Sequence, residues 1–453
     1  MSASKWIAAV SLVVILGGCA TVNPAPDYDV AKDEVSAATG VASLYLPGED
    51  ERAQDQVAKL LEGGLSSHEA VQVALLNNHS LREMFFEIGV SRADAVQAGL
   101  LSNPSLDALV RFPVDTGSTV IEGGLLQNFA ELWQVSARER AAEHQVERTV
   151  LDVAQHAVIV AAQTKSAYSS ALAAVSTLMV AEENLSTAQE FLELTLERQE
   201  AGAATQVDVN AARSTFLEQR LLVRAARFTV IESRRKLALA LGFAEPLEGD
   251  ILSEVLAETA DRHLELDRLL VVASEHRLDL RSVKKEVEAT ELAVPLERRR
   301  VWRNLSGGLA FESEGGELAL GPAFDLELPV FDQNQAQIAK AEYRYAQSLR
   351  RLDGVATQVS QQVRGAYENY LLAQDMARLY RTELLPLREG SLDLARESFA
   401  AGKTGFLSVL EAQDRLLQTR REYVDRLEAV ALSIPMLEAA CGRPLEYLLD
   451  SDG

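Results

Sequence analysis

The spacing of apolar positions changes character several times along the chain, and each change marks an element. From about Glu131 to Glu200 there is no proline and no glycine, and Leu185, Leu192, Leu196 and Gln199 sample a stripe at spacings of three, four and seven. At ~1.5 Å per residue such a helix reaches on the order of 100 Å, deeper than any globular core, so it must lie against neighbours along its whole length. Between Glu317 and Leu328 the period falls to two. Leu318, Leu320, Pro322, Phe324, Leu326 and Leu328 share one face, while Glu317, Ala319, Gly321, Ala323, Asp325 and Glu327 share the other. This alternation fits a lipid-facing barrel strand, and a sheet packed on one face in water alternates too.

Most of the chain is one pattern written twice. The run Ala74 to Arg82 lines up with Ala273 to Arg281, and Glu200-Ala201-Gly202 before Val209 and Ala212 lines up with Ala400-Ala401-Gly402 before Val409 and Ala412, at an offset of roughly 200 residues. In the first copy a helix is expected over Ser67 to Ala98, opened by Ser66 and Glu69 as a capping box and ended by Asn103-Pro104. Strands at about 105–112 and 118–129 follow, joined by Asp115-Thr116-Gly117. The long helix then turns at Ala201-Gly202-Ala203, and a second helix runs from Val207 to Leu241, stopped by Gly242 and Pro246. The second copy places strands at about 305–312 and 317–328. The fold class is mainly α with a small β part in two tandem repeats. The domain reading is 1–18 as export signal, 19–64 as linker, 65–242 as first repeat, 243–262 as inter-repeat segment, 263–442 as second repeat and 443–453 as tail.

Four strands per chain carry an implication about assembly. In hydrocarbon an open sheet leaves the backbone groups of its edges unpaired, at several kcal/mol each. About eight strands make a barrel filled by its own side chains, so three chains giving twelve strands are the smallest closure that leaves a bore. Trp133 and Trp302 stand where strands pass into helices, a place for membrane-interface aromatics and equally for ordinary core residues. Arg298, Arg299, Arg300 and Arg303 surround the second Trp and suit a helix C-terminus more simply than lipid phosphates.

Composition narrows the function. A chain of 453 residues with 47% hydrophobic residues is not disordered, and a formal charge of −23 speaks against nucleic acid or an anionic lipid surface as main partner. An acidic wall around a wet passage fits that charge, as does plain solubility. Of two cysteines, Cys19 follows Lys5 and the apolar run Trp6 to Leu16, ending Leu16-Gly17-Gly18-Cys19. The run is too short to span a bilayer and suits an export signal. The site resembles a bacterial lipobox, which makes Cys19 the acylated first residue of the mature chain, and Ala20-Thr21 without a neighbouring Asp resembles lipoproteins sent to the outer membrane. Cys441 reads as a small buried side chain. No HExxH, CxxC, GxSxG or P-loop occurs, and His68, His79, His144, His156, His263 and His276 are scattered without a Cys or acidic cluster at ligand spacing. Neither an enzyme, a cofactor nor a metal site is expected.

Several segments, in order and twice over, resemble the TolC-type outer-membrane efflux proteins across roughly Ser66 to Leu445. They are Glu69-Ala70-Val71-Gln72-Val73-Ala74-Leu75 with Asn77, Asn78 and Leu81; Leu328-Pro329-Val330-Phe331-Asp332 with Ala336, Ala339 and Ala341-Glu342; and Leu384-Leu385-Pro386, Ala401-Gly402 and Val409-Leu410-Glu411-Ala412-Gln413. The resemblance implies a homotrimer, a twelve-stranded barrel in the outer membrane of a Gram-negative bacterium and a periplasmic α-barrel of coiled-coil helices. It also implies docking to an inner-membrane pump through a periplasmic adaptor (membrane fusion protein), and a kink at Pro386. By the same resemblance the adaptor-docking tip is Gly202, Ala203, Gly402, Lys403, Thr404 and Gly405, although a helical hairpin needs glycine for its geometry alone. The family holds its aperture closed through an Asp near the first turn, linked to a Tyr and a basic residue near the second. Asp208 matches that Asp, but Phe399 and Thr404 stand at the partner positions. Ser408 and Glu411 match the acidic ring of the narrowest constriction, which leaves one carboxylate per chain, and an ordinary solvated glutamate is the plainer reading. The expected function is a passive exit duct for small molecules or metal ions. Two alternatives are a type I secretion duct for polypeptides and a lipid-anchored periplasmic coiled-coil scaffold without a barrel. The scaffold would not need the apolar strand face.

Overall fold

The computed structural model describes residues 20–115, 117–246, 249, 251–256 and 264–449. The lipobox with Cys19, the hairpin residue Thr116 and His263 lie outside the described residues. Within the stretch read as a linker the chain forms α1 (Ala25–Thr39) and α2 (Asp50–Leu61). Ala31, Val35 and Ala38 of α1 are buried, one helical stripe at spacings of four and three.

The helix expected over Ser67 to Ala98 is two helices, α3 (Ser67–Asn77) and α4 (His79–Gly99). The predicted capping box is present, with the Ser66 hydroxyl accepting from the Glu69 N–H and the Glu69 carboxylate accepting from the Ser66 N–H. The break falls at Asn78, which is extended because its side chain has two other tasks. Its carbonyl accepts the Ser80 and Leu81 N–H groups at the start of α4, and its amide donates to the Ala240 carbonyl at 3.1 Å. In the second copy α7 (Leu266–His276) and α8 (Leu278–Arg299) are divided at Arg277. There the guanidinium donates to the carbonyls of Ala439 and Ala440 at 3.0 and 3.2 Å. Each repeat thus breaks its first helix in order to cap the end of its last.

The strands are β1 (Ser105–Arg111), β2 (Val120–Asn128), β3 (Leu305–Glu314) and β4 (Glu317–Leu326), one antiparallel sheet in the order β1-β2-β3-β4. β4 stops two residues short of the expected Leu328, ahead of Pro329, whose missing N–H and restriction on Leu328 end the ladder. After a 3₁₀ turn at Ala130–Trp133, α5 (Val135–Glu200) runs unbroken for 66 residues, and α6 (Gln206–Ala240) returns. The second copy continues as α9 (Gln335–Leu379), a π-turn (Tyr380–Leu384), α10 (Leu385–Ala400), α11 (Phe406–Cys441) and α12 (Leu445–Leu449). The π-turn is the interruption expected near Pro386. It inserts one residue so that Pro386 falls in the first turn of α10, where its missing N–H is not required.

The chain divides into two compact units, a sheet unit (Met1–Val30, Phe86–Asp152, Arg281–Val355) and a helical unit (Ala31–Phe85, Val153–Leu280, Ala356–Gly453). In the helical unit the duplication is visible atom by atom. The Tyr168 hydroxyl donates to the Leu65 carbonyl and the Tyr367 hydroxyl to the Leu264 carbonyl, each pair 103 residues apart. Gly242 and Gly442 both have left-handed backbones, with φ 83° and 74°. A Cβ at Gly242 would lie 2.5 Å from the Asn77 carbonyl oxygen, so both the conformation and the close approach require glycine. In the sheet unit Arg92 grips Asp27 with two hydrogen bonds of 2.7 and 2.6 Å and Glu143 with a third of 2.6 Å, which seats the start of α1.

Candidate functional site: the sheet and the helical turns

Residues directly opposite on neighbouring strands share a face, so the register assigns every side chain of the sheet. One face carries the rows Leu106, Leu125, Leu309, Pro322; then Ala108, Gly123, Phe311, Leu320; then Val110, Ile121, Ser313, Leu318. These large apolar side chains are bare: Leu106 is 76% exposed, Leu318 72% and Phe324 81%. The opposite face holds small residues, Leu109, Val120 and Leu126, and the carboxylates of Asp107, Glu122, Glu312, Glu314, Glu317 and Asp325, with Arg111 on Glu122 at 2.8 Å. Packing within the sheet is close. The Phe311 ring covers Gly123, and a Cβ at Gly308 would sit 1.8 Å from the Leu125 carbonyl oxygen. Among the described residues, neither edge strand, β1 or β4, has a partner on its outer side. A bare apolar face bounded by two open edges is unstable in water, and open edges are equally excluded from lipid.

Trp133 and Trp302 are both half exposed at the strand–helix junctions, and the backbone there is tied together. Gln134 donates to the Trp302 carbonyl and Arg299 to the Trp133 carbonyl, each at 3.2 Å. The other arginines of the cluster have protein acceptors too: Arg298 on Glu342, Arg300 on Glu297 and Arg303 on Asp332. This pairing accounts for the cluster without lipid phosphate.

In the helical unit the two glycine turns have the same build. Gly202 and Gly402 are left-handed, with φ 75° and 71°. The next N–H, of Ala203 or Lys403, reaches back to the carbonyl of Arg198 or Ser398 at 2.7 or 2.9 Å, the long bond of a Schellman motif. Gly202, Ala203, Gly402, Lys403, Thr404 and Gly405 are all exposed. Beyond the turns the copies differ. Thr205 and Asp208 form a capping box on α6, in which the Asp208 carboxylate accepts the Thr205 N–H at 2.8 Å and its hydroxyl at 2.7 Å. Within the chain, then, Asp208 serves its own helix start. At the matching positions Gly405 offers no side chain, and the half-buried Ser408 donates to the Gly405 carbonyl at 2.7 Å, while Glu411 is exposed.

Phe399, which departs from the family pattern in sequence, belongs to an aromatic group in the fold. Phe191 of α5 stacks on Phe406 of α11 at 5.0 Å, Phe399 of α10 meets Phe406 edge-on at 5.8 Å, and the Arg198 guanidinium lies 4.2 Å from the Phe399 ring centre. Leu392, Val409 and Leu416 are buried beneath. Val207 and Leu407, one turn past the glycines and matched between copies, are 75% and 63% exposed, and no local sequence pattern marks them.

One expectation is corrected in the sheet unit. His144 does meet carboxylates at ligand spacing: its Nδ1 lies 3.1 Å from Glu147 and 3.3 Å from Glu288. The Lys285 ammonium lies 3.0 and 2.8 Å from the same two carboxylates. Burial works against the Glu147 carboxylate, yet hydrogen bonds from Lys285 and His144 hold its pKa below the ordinary value. The i, i+3 pair on α5 was readable, whereas Glu288 arrives from the other repeat.

The sequence matches the Outer membrane efflux protein family over residues 70–243 and 269–443, once per repeat. The chain belongs to that family of outer-membrane efflux channels. It is 26% identical over 326 residues to the cobalt-zinc-cadmium resistance protein CzcC of Cupriavidus metallidurans, covering 68% of this chain and 73% of that one. It is 23% identical over 480 residues to the probable efflux pump outer membrane protein TtgC of Pseudomonas putida, covering 94% and 93%. Among solved structures the outer membrane protein VceC of Vibrio cholerae is similar with a TM-score of 0.68 at 17% identity, covering 88% of this chain and all of that one.

Proposed function

We propose that this outer-membrane efflux protein is the exit duct of a tripartite system, built from three copies. β1 of one copy pairs with β4 of the next, so that twelve strands close into a barrel whose apolar rows face lipid and whose carboxylate face lines the bore. The bare face between two open edges carries this reading, because only closure with identical copies satisfies the edge backbone in hydrocarbon. The long helices form an α-barrel in the periplasm. There the glycine turns, with exposed Val207 and Leu407 beside them, dock the adaptor that links the duct to its inner-membrane pump. Cys19 carries the lipid anchor. The duct catalyses nothing, and the pump selects the cargo. CzcC is named for cobalt-zinc-cadmium resistance and TtgC for efflux, which supports metal ions or small molecules as the classes carried.

The test is electron microscopy of the full chain in detergent together with a Cys19→Ser variant partitioned between membrane and buffer. A threefold ring, and a lipid-free variant that still needs detergent, are the expected results. A monodisperse monomer stable in plain buffer would overturn the proposal.

A further inference from the structure

In the sheet unit, where α5 of the first repeat passes α8 of the second, one imidazole and two carboxylates converge from both repeats. We propose that His144, Glu147 and Glu288 form a binding site for a divalent cation of the zinc class, and that the Lys285 ammonium is a built-in competitor for the same position.

Three observations carry it. The first is the donor set, since an imidazole nitrogen with two carboxylate oxygens suits borderline cations such as Zn²⁺ or Co²⁺ and leaves a fourth position for water. Spacing is the second. Zinc bonds of ~2.0–2.1 Å in a tetrahedron place neighbouring ligand atoms about 3.3 Å apart. The imidazole-to-carboxylate separations are 3.1 and 3.3 Å, and all three ligand atoms lie within 4.8 Å of one another, so closure needs only small side-chain rotations. The third is Lys285. Its ammonium, 3.0 and 2.8 Å from Glu147 and Glu288, demonstrates that the two carboxylates already converge on one cation. An ammonium engages the two carboxylates alone, whereas a metal ion also takes His144 Nδ1 as a ligand once the hydrogen that this nitrogen donates to Glu147 has been released to solvent.

The displaced Lys285 has somewhere to go. Its side chain is one third exposed on a flexible four-carbon stem, so its head can swing into solvent when a metal ion arrives. His144, Glu147 and Glu288 are 28%, 49% and 46% exposed, which leaves the site open to an entering ion. Occupancy replaces an ion-pair bridge by coordinate bonds and so clamps α5 to α8, one helix from each repeat. The site shares no residue with the acidic sheet face, and it does not depend on the conduction reading.

The experiment is a titration of the untagged full chain in detergent with Co²⁺, read by visible d–d absorption, with Zn²⁺ as competitor. Removing the competing charge by Lys285→Met, with Lys285→Gln as a second variant of similar length, is expected to tighten cobalt binding at least about tenfold, at one site per chain. Adding His144→Asn or Glu288→Gln to either background is expected to return the affinity to wild-type level or below. Zn²⁺ is expected to raise the thermal unfolding temperature of Lys285→Met and to leave that of Lys285→Met/His144→Asn unchanged, with matched helical circular dichroism as the folding control. Cobalt binding that neither Lys285 variant strengthens would overturn the proposal. So would binding in Lys285→Met that survives loss of His144, which would assign the ion to other histidines.

Discussion

Arg277 offers the sharpest quantitative test of how the repeats are closed. The residue is 6% exposed, and its guanidinium donates five hydrogen bonds: two to Asp279, one to Gln362, and one each to the carbonyls of Ala439 and Ala440 in the last turn of α11. Those carbonyls belong to the negative end of a helix of 36 residues and have no intrahelical donors. Arg277→Met keeps much of the stem and removes every donor. Breaking a buried pair from one side costs roughly 3–5 kcal/mol, and because Asp279 is 33% exposed and regains water, the low end applies. The expected loss is therefore about 3 kcal/mol, or roughly two orders of magnitude in the local opening constant. Asn78, its counterpart, makes a single neutral bond of 3.1 Å to Ala240 besides capping α4, so Asn78→Ala should cost only about 1–2 kcal/mol. Hydrogen exchange resolved by mass spectrometry over the ends of α6 and α11 measures both. Acceleration at the end of α11 of less than about fivefold in Arg277→Met, or a larger effect from Asn78→Ala at the end of α6, would refute the reasoning.

Three further outcomes are expected. Gly308→Ala puts a Cβ into the Leu125 carbonyl and should abolish β2–β3 pairing and the yield of folded protein, whereas Gly321→Ala, with open space around it, should behave as wild type in circular dichroism and yield. Cys441 is fully buried and its thiol is pushed up to about 12, chiefly by burial, so it stays protonated as pH rises through the range of ordinary thiols. In a Cys19→Ser chain, iodoacetamide at pH 8 should leave it unmodified until denaturant is added. Finally, the first turn of α6, held by Thr205 and Asp208, should exchange about five- to thirtyfold more slowly than the first turn of α11 behind Gly405, and Asp208→Ala should remove most of that difference.

What the sequence revealed depended on how far away the cause lay. The strand faces were legible because alternation is local, and the register of β3 with β4 keeps Leu318, Leu320 and Phe324 together as the pattern implied. The capping box at Ser66 and Glu69 was legible for the same reason. The division at Asn78 was not. Local propensity favours one helix from Ser67 onward, and the extended Asn78 is stabilised by a carbonyl 162 residues later. Arg277 hides its role in the same way, its farthest acceptor standing 163 residues on. α1 fell between these cases: Ala31, Val35 and Ala38 make a readable stripe, but small residues in an acidic setting resemble a solvated linker. At the turns, Phe399 reads in sequence only as a missing polar partner, because nothing local pairs it with Phe191 of α5 and Phe406 of α11.

The two copies agree where the backbone is decided and differ where a surface is presented. Tyr168 and Tyr367, and Gly242 and Gly442, repeat the same contacts because those contacts fix how helix ends meet, and both halves need the same junction. Thr205 and Asp208 against Gly405 and Ser408, or Asn78 against Arg277, sit in equivalent backbone settings with different chemistry. A single chain therefore offers two kinds of hairpin, and three chains would offer them in alternation around a ring. Such a ring resembles sixfold symmetry in its backbone but is only threefold in its side chains. In the proposed trimer, a partner recognising side chains at the turns would have three equivalent seats, whereas one recognising only the backbone would have six. In that assembly duplication would leave the scaffold redundant and the seats distinguishable, which a homotrimer of an unduplicated hairpin could not provide.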